Sequence, residues 1–238
     1  MTNYIQSMPA EIIIPCFNEE KNLKSLMEQC EHFAIKSDSI VRFVIVENGS
    51  SDGSREVINK FRKENSSIRF VILDKNMGYG GGILAGLLTS KADVLGWTHA
   101  DLQTPLADCI SGIKFLESGY DFVKGVRKNR NLTDKFFSVG MGFFESLLFR
   151  QNLREINAQP TIFRRSFISE WVNAPTDFSL DLYALVLANK YELKIQRFPV
   201  SFYPRINGNS KWNTGVYSRM RFIFRTLRYS LGLRRSLR

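Results

Sequence analysis

His99, Asp101 and Gln103 fall within five residues of one another, inside the segment Gly96-Trp97-Thr98-His99-Ala100-Asp101-Leu102-Gln103-Thr104-Pro105. A carboxylate, an imidazole and an amide oxygen at this spacing could hold a hard divalent cation, an ion that usually brings phosphate with it. The same residues would serve equally as a solvent-facing turn. Position bears on the choice. Residues 94–97 are apolar and read as a strand, and Pro105 reads as the start of a helix, where a missing N–H costs nothing. In an open α/β sheet, ligands collect at the carboxyl ends of the strands.

The preceding chain supplies three more strand–turn–helix units. Residues 11–14 form an apolar strand closed by Pro15. Cys16-Phe17-Asn18-Glu19-Glu20 follow, then Leu23, Leu26, Met27, Cys30 and Phe33 at helical spacing, with Asn18 or a neighbour as cap. Residues 42–46 end in Glu47-Asn48-Gly49-Ser50-Ser51-Asp52-Gly53, ahead of a helix with Val57, Ile58 and Phe61 on one face. Residues 69–73 end in Asn76-Met77-Gly78-Tyr79-Gly80-Gly81-Gly82, ahead of Leu84, Leu87 and Leu88. The glycine run lacks GxGxxG spacing and follows the third strand, which argues against a dinucleotide fingerprint. The expected class is α/β, a mostly parallel central sheet with helices on both faces. Its turns would line one edge with Pro15, Glu19, Glu47, Asn48, Asp52, Asp101 and Gln103.

Farther on, Ile110, Ile113, Phe115 and Leu116 suit a helix, 121–125 a strand, and 127–134 a basic loop. Residues 136–149 are amphipathic and rich in Phe, which a buried helix face explains most simply. Residues 157–163 suit a strand and 179–188 a short helix holding Asp181. Residues 193–205 suit one or two strands, with Pro199 at an edge. No repeat or linker interrupts the chain. One domain is expected over 1–212, followed by a C-terminal appendage, 213–238.

Composition narrows the class. The chain has 238 residues and no run of the ~20 apolar residues that a membrane-spanning helix needs. The first ten residues do not read as a signal peptide, and three cysteines without metal-ligand spacing read as reduced packing residues of a cytoplasmic protein. Eleven of the 33 Lys/Arg and none of the 23 Asp/Glu lie from Leu193 onward, so the first 192 residues carry a net charge of −1. That basic tail suggests an anionic partner. Nucleic acid is not expected, because the body offers neither a stacking platform nor a groove-reading element. Met220, Ile223, Phe224, Leu227 and Leu231 make a helical stripe flanked by Arg219, Arg221, Arg225 and Arg228. Such a helix, 217–238, reads as an anchor on an anionic membrane surface, or as a face packed on the domain or on a second subunit.

Six motifs in order resemble the family-2 glycosyltransferases of GT-A fold, most of all the polyprenyl-phosphate enzymes of the dolichyl-phosphate mannose synthase type. They are Ile14-Pro15-Cys16-Phe17-Asn18-Glu19, Val46-Glu47-Asn48-Gly49-Ser50-Ser51-Asp52-Gly53, Asn76-Met77-Gly78, His99-Ala100-Asp101-Leu102-Gln103, Gly125-Val126-Arg127 and Arg205-Ile206-Asn207-Gly208-Asn209-Ser210-Lys211. The resemblance implies a metal-dependent, inverting transfer of a sugar from a nucleotide-diphosphate donor to a polyprenyl-phosphate or glycan acceptor, at the inner face of the membrane. It implies that Pro15, Phe17, Glu19, Val46 and Asn48 surround the base and ribose, with His99 and Ala100 beside them. Asp101 and Gln103 would hold Mg²⁺ or Mn²⁺ against the diphosphate; Arg127, Arg205, Ser210 and Lys211 would meet donor or acceptor phosphates. His99 stands where the family has the first Asp of Asp-Ala-Asp, and Glu47-Asn48 where it has an acidic pair. Asp181 would be the general base for a hydroxyl acceptor, or an ordinary helix cap; a lipid phosphate needs no base. The alternatives are an inactive nucleotide-sugar-binding protein of the same fold, or a nucleotidyltransferase.

Overall fold

Ile12, Ile13 and Ile14 stand consecutively in β1 (Ala10–Cys16), pack into two different cores, and have no exposed surface. A strand buried on both faces belongs at the centre of a helix-covered sheet. That is the architecture of the computed structural model, which describes residues 8–37, 40–64, 68–128, 132–205, 207 and 216–237. The chain continues as α1 (Glu20–Lys36), β2 (Val41–Asn48), α2 (Ser54–Glu64), β3 (Arg69–Leu73), α3 (Gly78–Leu88), β4 (Val94–Trp97), α4 (Leu106–Glu117), β5 (Phe122–Arg127), α5 (Leu132–Phe149), β6 (Thr161–Arg164), a 3-10 turn (Arg165–Glu170), α6 (Leu180–Lys190), β7 (Ile195–Val200) and α7 (Val216–Ser236).

The strands pair in the order β3-β2-β1-β4-β6-β5-β7. All neighbours are parallel except β6, which runs antiparallel between β4 and β5. Pro199 lies on edge strand β7, as its missing N–H demands. Helices α1, α2 and α4 cover one face; α3 and α6 cover the other. Helix α6 is buried from Leu180 to Ala188, in keeping with its near-continuous apolar sequence. Cys16, Cys30 and Cys109 are free and buried.

One expectation needs correction here. Helix α5 does not bury its apolar stripe: Val139, Phe143 and Leu147 are 59%, 72% and 71% exposed. Helix α7 packs on the domain, one of the readings its sequence left open. Its Leu233 enters the core, its Arg225 reaches Asp177 at 3.3 Å, and its Ser230 donates to Glu145 of α5 at 2.7 Å. Glu145 Oε2 has no hydrogen-bond partner among the described residues, and burial pushes the carboxyl up to about 7. The fold therefore favours the protonated acid. Stability from this group is fully present below its ordinary pKa of 4.5 and is lost as pH rises through about 7. Glu145→Gln, always neutral, should melt with the wild type below that range and at higher temperature above it.

Candidate active site

The turns after β1 and β2 lace together at the carboxyl edge of the sheet. Asn18, held at φ 58°, takes a hydrogen bond from the Ser51 N–H and donates its own N–H to the Ser50 hydroxyl. The Glu19 N–H donates to Ser54 and the Glu20 N–H to Asp52. The first turn of α1 is thus capped from the neighbouring loop; its cap position is Glu19, the neighbour of Asn18, and Asn18 ties the two loops. Pro15, Phe17 and Glu19 sit half-buried along this lip. Glu47 is buried against Arg55 at 2.8 Å. Val46 is fully buried beneath α3, so its side chain packs the core and faces no cleft.

Asn48 is committed to the next turn: its amide donates to the Gly78 carbonyl and accepts from the Met77 N–H, both at 2.9 Å. That turn opens α3, whose Gly78 and Gly80 receive the backbone of residues 175–177. A Cβ on Gly80 would lie 2.5 Å from the Pro175 carbonyl oxygen. The 175–178 segment docks there and stacks Phe178 on Tyr79, rings 4.6 Å apart; Tyr79 in turn lies 5.5 Å from His99. Half-buried His99 is held below its ordinary pKa by desolvation, against the pull of Asp101 and Asp181, which disfavours its charged form.

Asp101 and Gln103 converge on one positive group. Arg205 donates from Nη2 to Asp101 Oδ2 at 2.8 Å and from Nε to Gln103 Oε1 at 3.1 Å. Asp101 is 6% exposed, its Oδ1 accepts the Gln103 N–H, and Ala100 behind it is buried. Leu102 between them takes φ 58°. A bulky residue in that region costs about 1–3 kcal/mol, and such strain gathers at functional sites. Here it turns both oxygens to the same side. Among the described residues no group of three or more His, Cys, Asp or Glu could hold a metal. One carboxylate and one amide oxygen still fit a hard cation that takes its remaining ligands from phosphate and water.

Behind the cleft lies a buried polar cluster. Asp181 Oδ1 accepts from Lys124 Nζ at 2.9 Å, Gln159 Nε2 at 2.8 Å and Trp97 Nε1 at 3.3 Å. Gln159 also donates to the Tyr79 hydroxyl, and Lys124 to Thr161. Asp181 is not the helix cap: it lies in the first turn of α6, whose cap position is Ser179. At 2% exposure, with three donors on one oxygen, it lies buried behind Tyr79 and His99. Lys124, fully buried, went unnoticed in the sequence, although a lysine between Val123 and Gly125 in an apolar strand is a legible oddity. Desolvation lowers its pKa against the pull of Asp181.

Arg127 pairs with Glu155 at 2.9 Å and lies 5.6 Å from the Phe202 ring centre. It stands apart from the Asp101 cluster by its partners, whereas Arg205 joins that cluster. Ser210 and Lys211 lie outside the described residues.

A sequence profile described as Glycosyl transferase family 2 matches residues 11–181. The chain belongs to glycosyltransferase family 2. It resembles undecaprenyl-phosphate 4-deoxy-4-formamido-L-arabinose transferases. That of Serratia proteamaculans is 26% identical over 207 residues, covering 85% of this chain and 62% of that protein. That of Pseudomonas syringae pv. syringae is 34% identical over 120 residues, 50% of this chain and 36% of that protein. This family 2 chain thus spans between about a third and two thirds of the length of such relatives. Among solved structures, it matches glucosyl-3-phosphoglycerate synthase from Mycobacterium tuberculosis bound to Mn²⁺, uridine diphosphate and glucosyl-3-phosphoglycerate. The TM-score is 0.69 at 16% identity, over 94% of this chain and 80% of that one. The fold is GT-A, as the motif order implied.

Proposed function

We propose that this family 2 chain transfers a sugar from a nucleotide-diphosphate donor to a polyprenyl-phosphate acceptor. The observation that carries this is the convergence of Asp101, Gln103 and Arg205 at the carboxyl edge of the sheet. Anionic oxygens and a planar guanidinium side by side suit a diphosphate with its counter-ion. An acceptor phosphate oxygen would attack the anomeric carbon as the carbon–oxygen bond to the diphosphate breaks, releasing a nucleoside diphosphate with inversion. Held by Asp101 and Gln103, Mg²⁺ or Mn²⁺ would neutralise charge on that leaving group. The lip of Pro15, Phe17 and Glu19 would seat the nucleoside, and His99, its ring tilted against Tyr79, would face the donor. Ser210 and Lys211 are proposed for phosphate contact on sequence grounds alone.

The buried state of Asp181 favours the lipid phosphate over a hydroxyl acceptor, because a phosphate anion needs no base. The experiment supplies full-length protein with Mn²⁺, a panel of nucleotide sugars and either a polyprenyl phosphate or a glycan. Sugar transfer to the polyprenyl phosphate is the expected product. Asp181→Asn should retain that turnover in its folded fraction; near-complete loss with donor binding intact would point to a hydroxyl acceptor.

Such an acceptor lies in a bilayer. No helix of the described residues is long and apolar enough to cross one. Two neighbouring helices nevertheless expose apolar side chains: Phe143 and Leu147 on α5, Phe224 (63% exposed) and Leu231 (47%) on α7. Arg225, Arg228 and Arg235 are exposed along α7. Each basic residue near an anionic surface contributes roughly 1 kcal/mol, and each buried Phe or Leu about 1.5–3 kcal/mol. These features support peripheral attachment at the inner face. Phe143→Ser with Leu147→Ser should weaken co-sedimentation with anionic liposomes about tenfold or more. Unchanged sedimentation would remove α5 from the contact.

A further inference from the structure

We infer that Arg205 is an internal competitor of the divalent cation: it holds Asp101 and Gln103 until a diphosphate arrives to take its guanidinium. The inference rests on reading Asp101 and Gln103 as the cation ligands. Both of their oxygens are directed at the guanidinium, at 2.8 and 3.1 Å. A cation entering alone would gain two protein oxygens and strand Arg205 beside a like charge. A diphosphate removes both objections, since its oxygens can complete the cation's shell and accept the arginine fork.

The segment bearing Arg205 is fastened as a strap across the same edge. The Tyr203 N–H donates to the Gln103 carbonyl, and the Gln103 side-chain amide donates to the Tyr203 carbonyl, both at 2.9 Å. Beyond Arg205, Asn207 donates to Asn22 of α1 at 3.1 Å, and Asn22 to Glu19 at 2.7 Å. Arg205 is the middle fastening, so its transfer to a diphosphate frees the strap where it crosses Asp101. Cation and nucleotide then bind as a coupled pair.

The test titrates Mn²⁺ into full-length wild type, Arg205→Met, Arg205→Gln and Arg205→Lys, reading free Mn²⁺ by electron paramagnetic resonance. Each is measured alone and with uridine, guanosine, cytidine, adenosine and thymidine diphosphates, after circular dichroism melts establish the folded fraction. Without nucleotide, the Met and Gln variants should bind Mn²⁺ about tenfold more tightly than wild type, within the usual range of coupling energies. With the diphosphate that binds, wild type should gain affinity for Mn²⁺ and the neutral variants should lose most of that gain. Arg205→Lys, which keeps the charge, should stay close to wild type without nucleotide. Neutral variants no tighter than wild type, or a Lys variant as tight as Met, would overturn the competition while leaving the cation site standing. No Mn²⁺ uptake by any protein with any diphosphate would overturn both.

Discussion

On the proposed function, Asp101→Asn should lower sugar transfer about a thousandfold, because a cation and its carboxylate would supply several kcal/mol of charge stabilisation at the leaving group and 1.36 kcal/mol is tenfold in rate. The substitution keeps the shape of the side chain and removes its charge. Stability should move little: Arg205 is partly exposed, and a pair of this kind contributes about 1 kcal/mol. The measurement is single-turnover transfer at saturating Mn²⁺, with melting temperature as the control for folding. A variant within about tenfold of wild type would remove Asp101 from the chemistry.

Lys124→Met has the opposite signature, a large loss of stability. It removes the one charged donor from the buried Asp181 carboxylate among the described residues and leaves neutral donors such as Trp97 and Gln159. Breaking a buried pair by removing one partner costs about 3–5 kcal/mol, whereas replacing both partners with apolar groups is often neutral. In a domain of this size that single loss is about 10 °C of melting temperature. Lys124→Met combined with Asp181→Leu should recover most of it. Urea unfolding of the two single variants and the double variant gives the cycle; a single Lys124 variant within about 1 kcal/mol of wild type would contradict the argument.

The sequence carried the first four strand–turn–helix units clearly, because local periodicity and turn residues decide them. It carried Asp101 and Gln103 as neighbours for the same reason. What it could not display were partners brought together over long separations. Arg205 lies 104 residues from Asp101, and Lys124 lies 57 from Asp181. The Asn48 amide donates to Gly78, 30 residues on, a partner that its own motif does not display. Phe143 and Leu147 were read as core because an apolar stripe normally packs inward; helix α5 instead spends its inward contact on α7 and leaves these two outside. The antiparallel insertion of β6 was equally hidden, since a short apolar run does not state its direction or its neighbours.

That insertion has a consequence during synthesis. Strand β5 emerges from the ribosome before β6, yet β6 must lie between β5 and β4. Until residues 161–164 are made, the nascent chain presents β4 with a bare rim of amides and carbonyls, a template for unwanted pairing with other chains. A protein cut short of β6 should therefore behave as a sticky intermediate in need of a chaperone rather than as a smaller, self-sufficient fold.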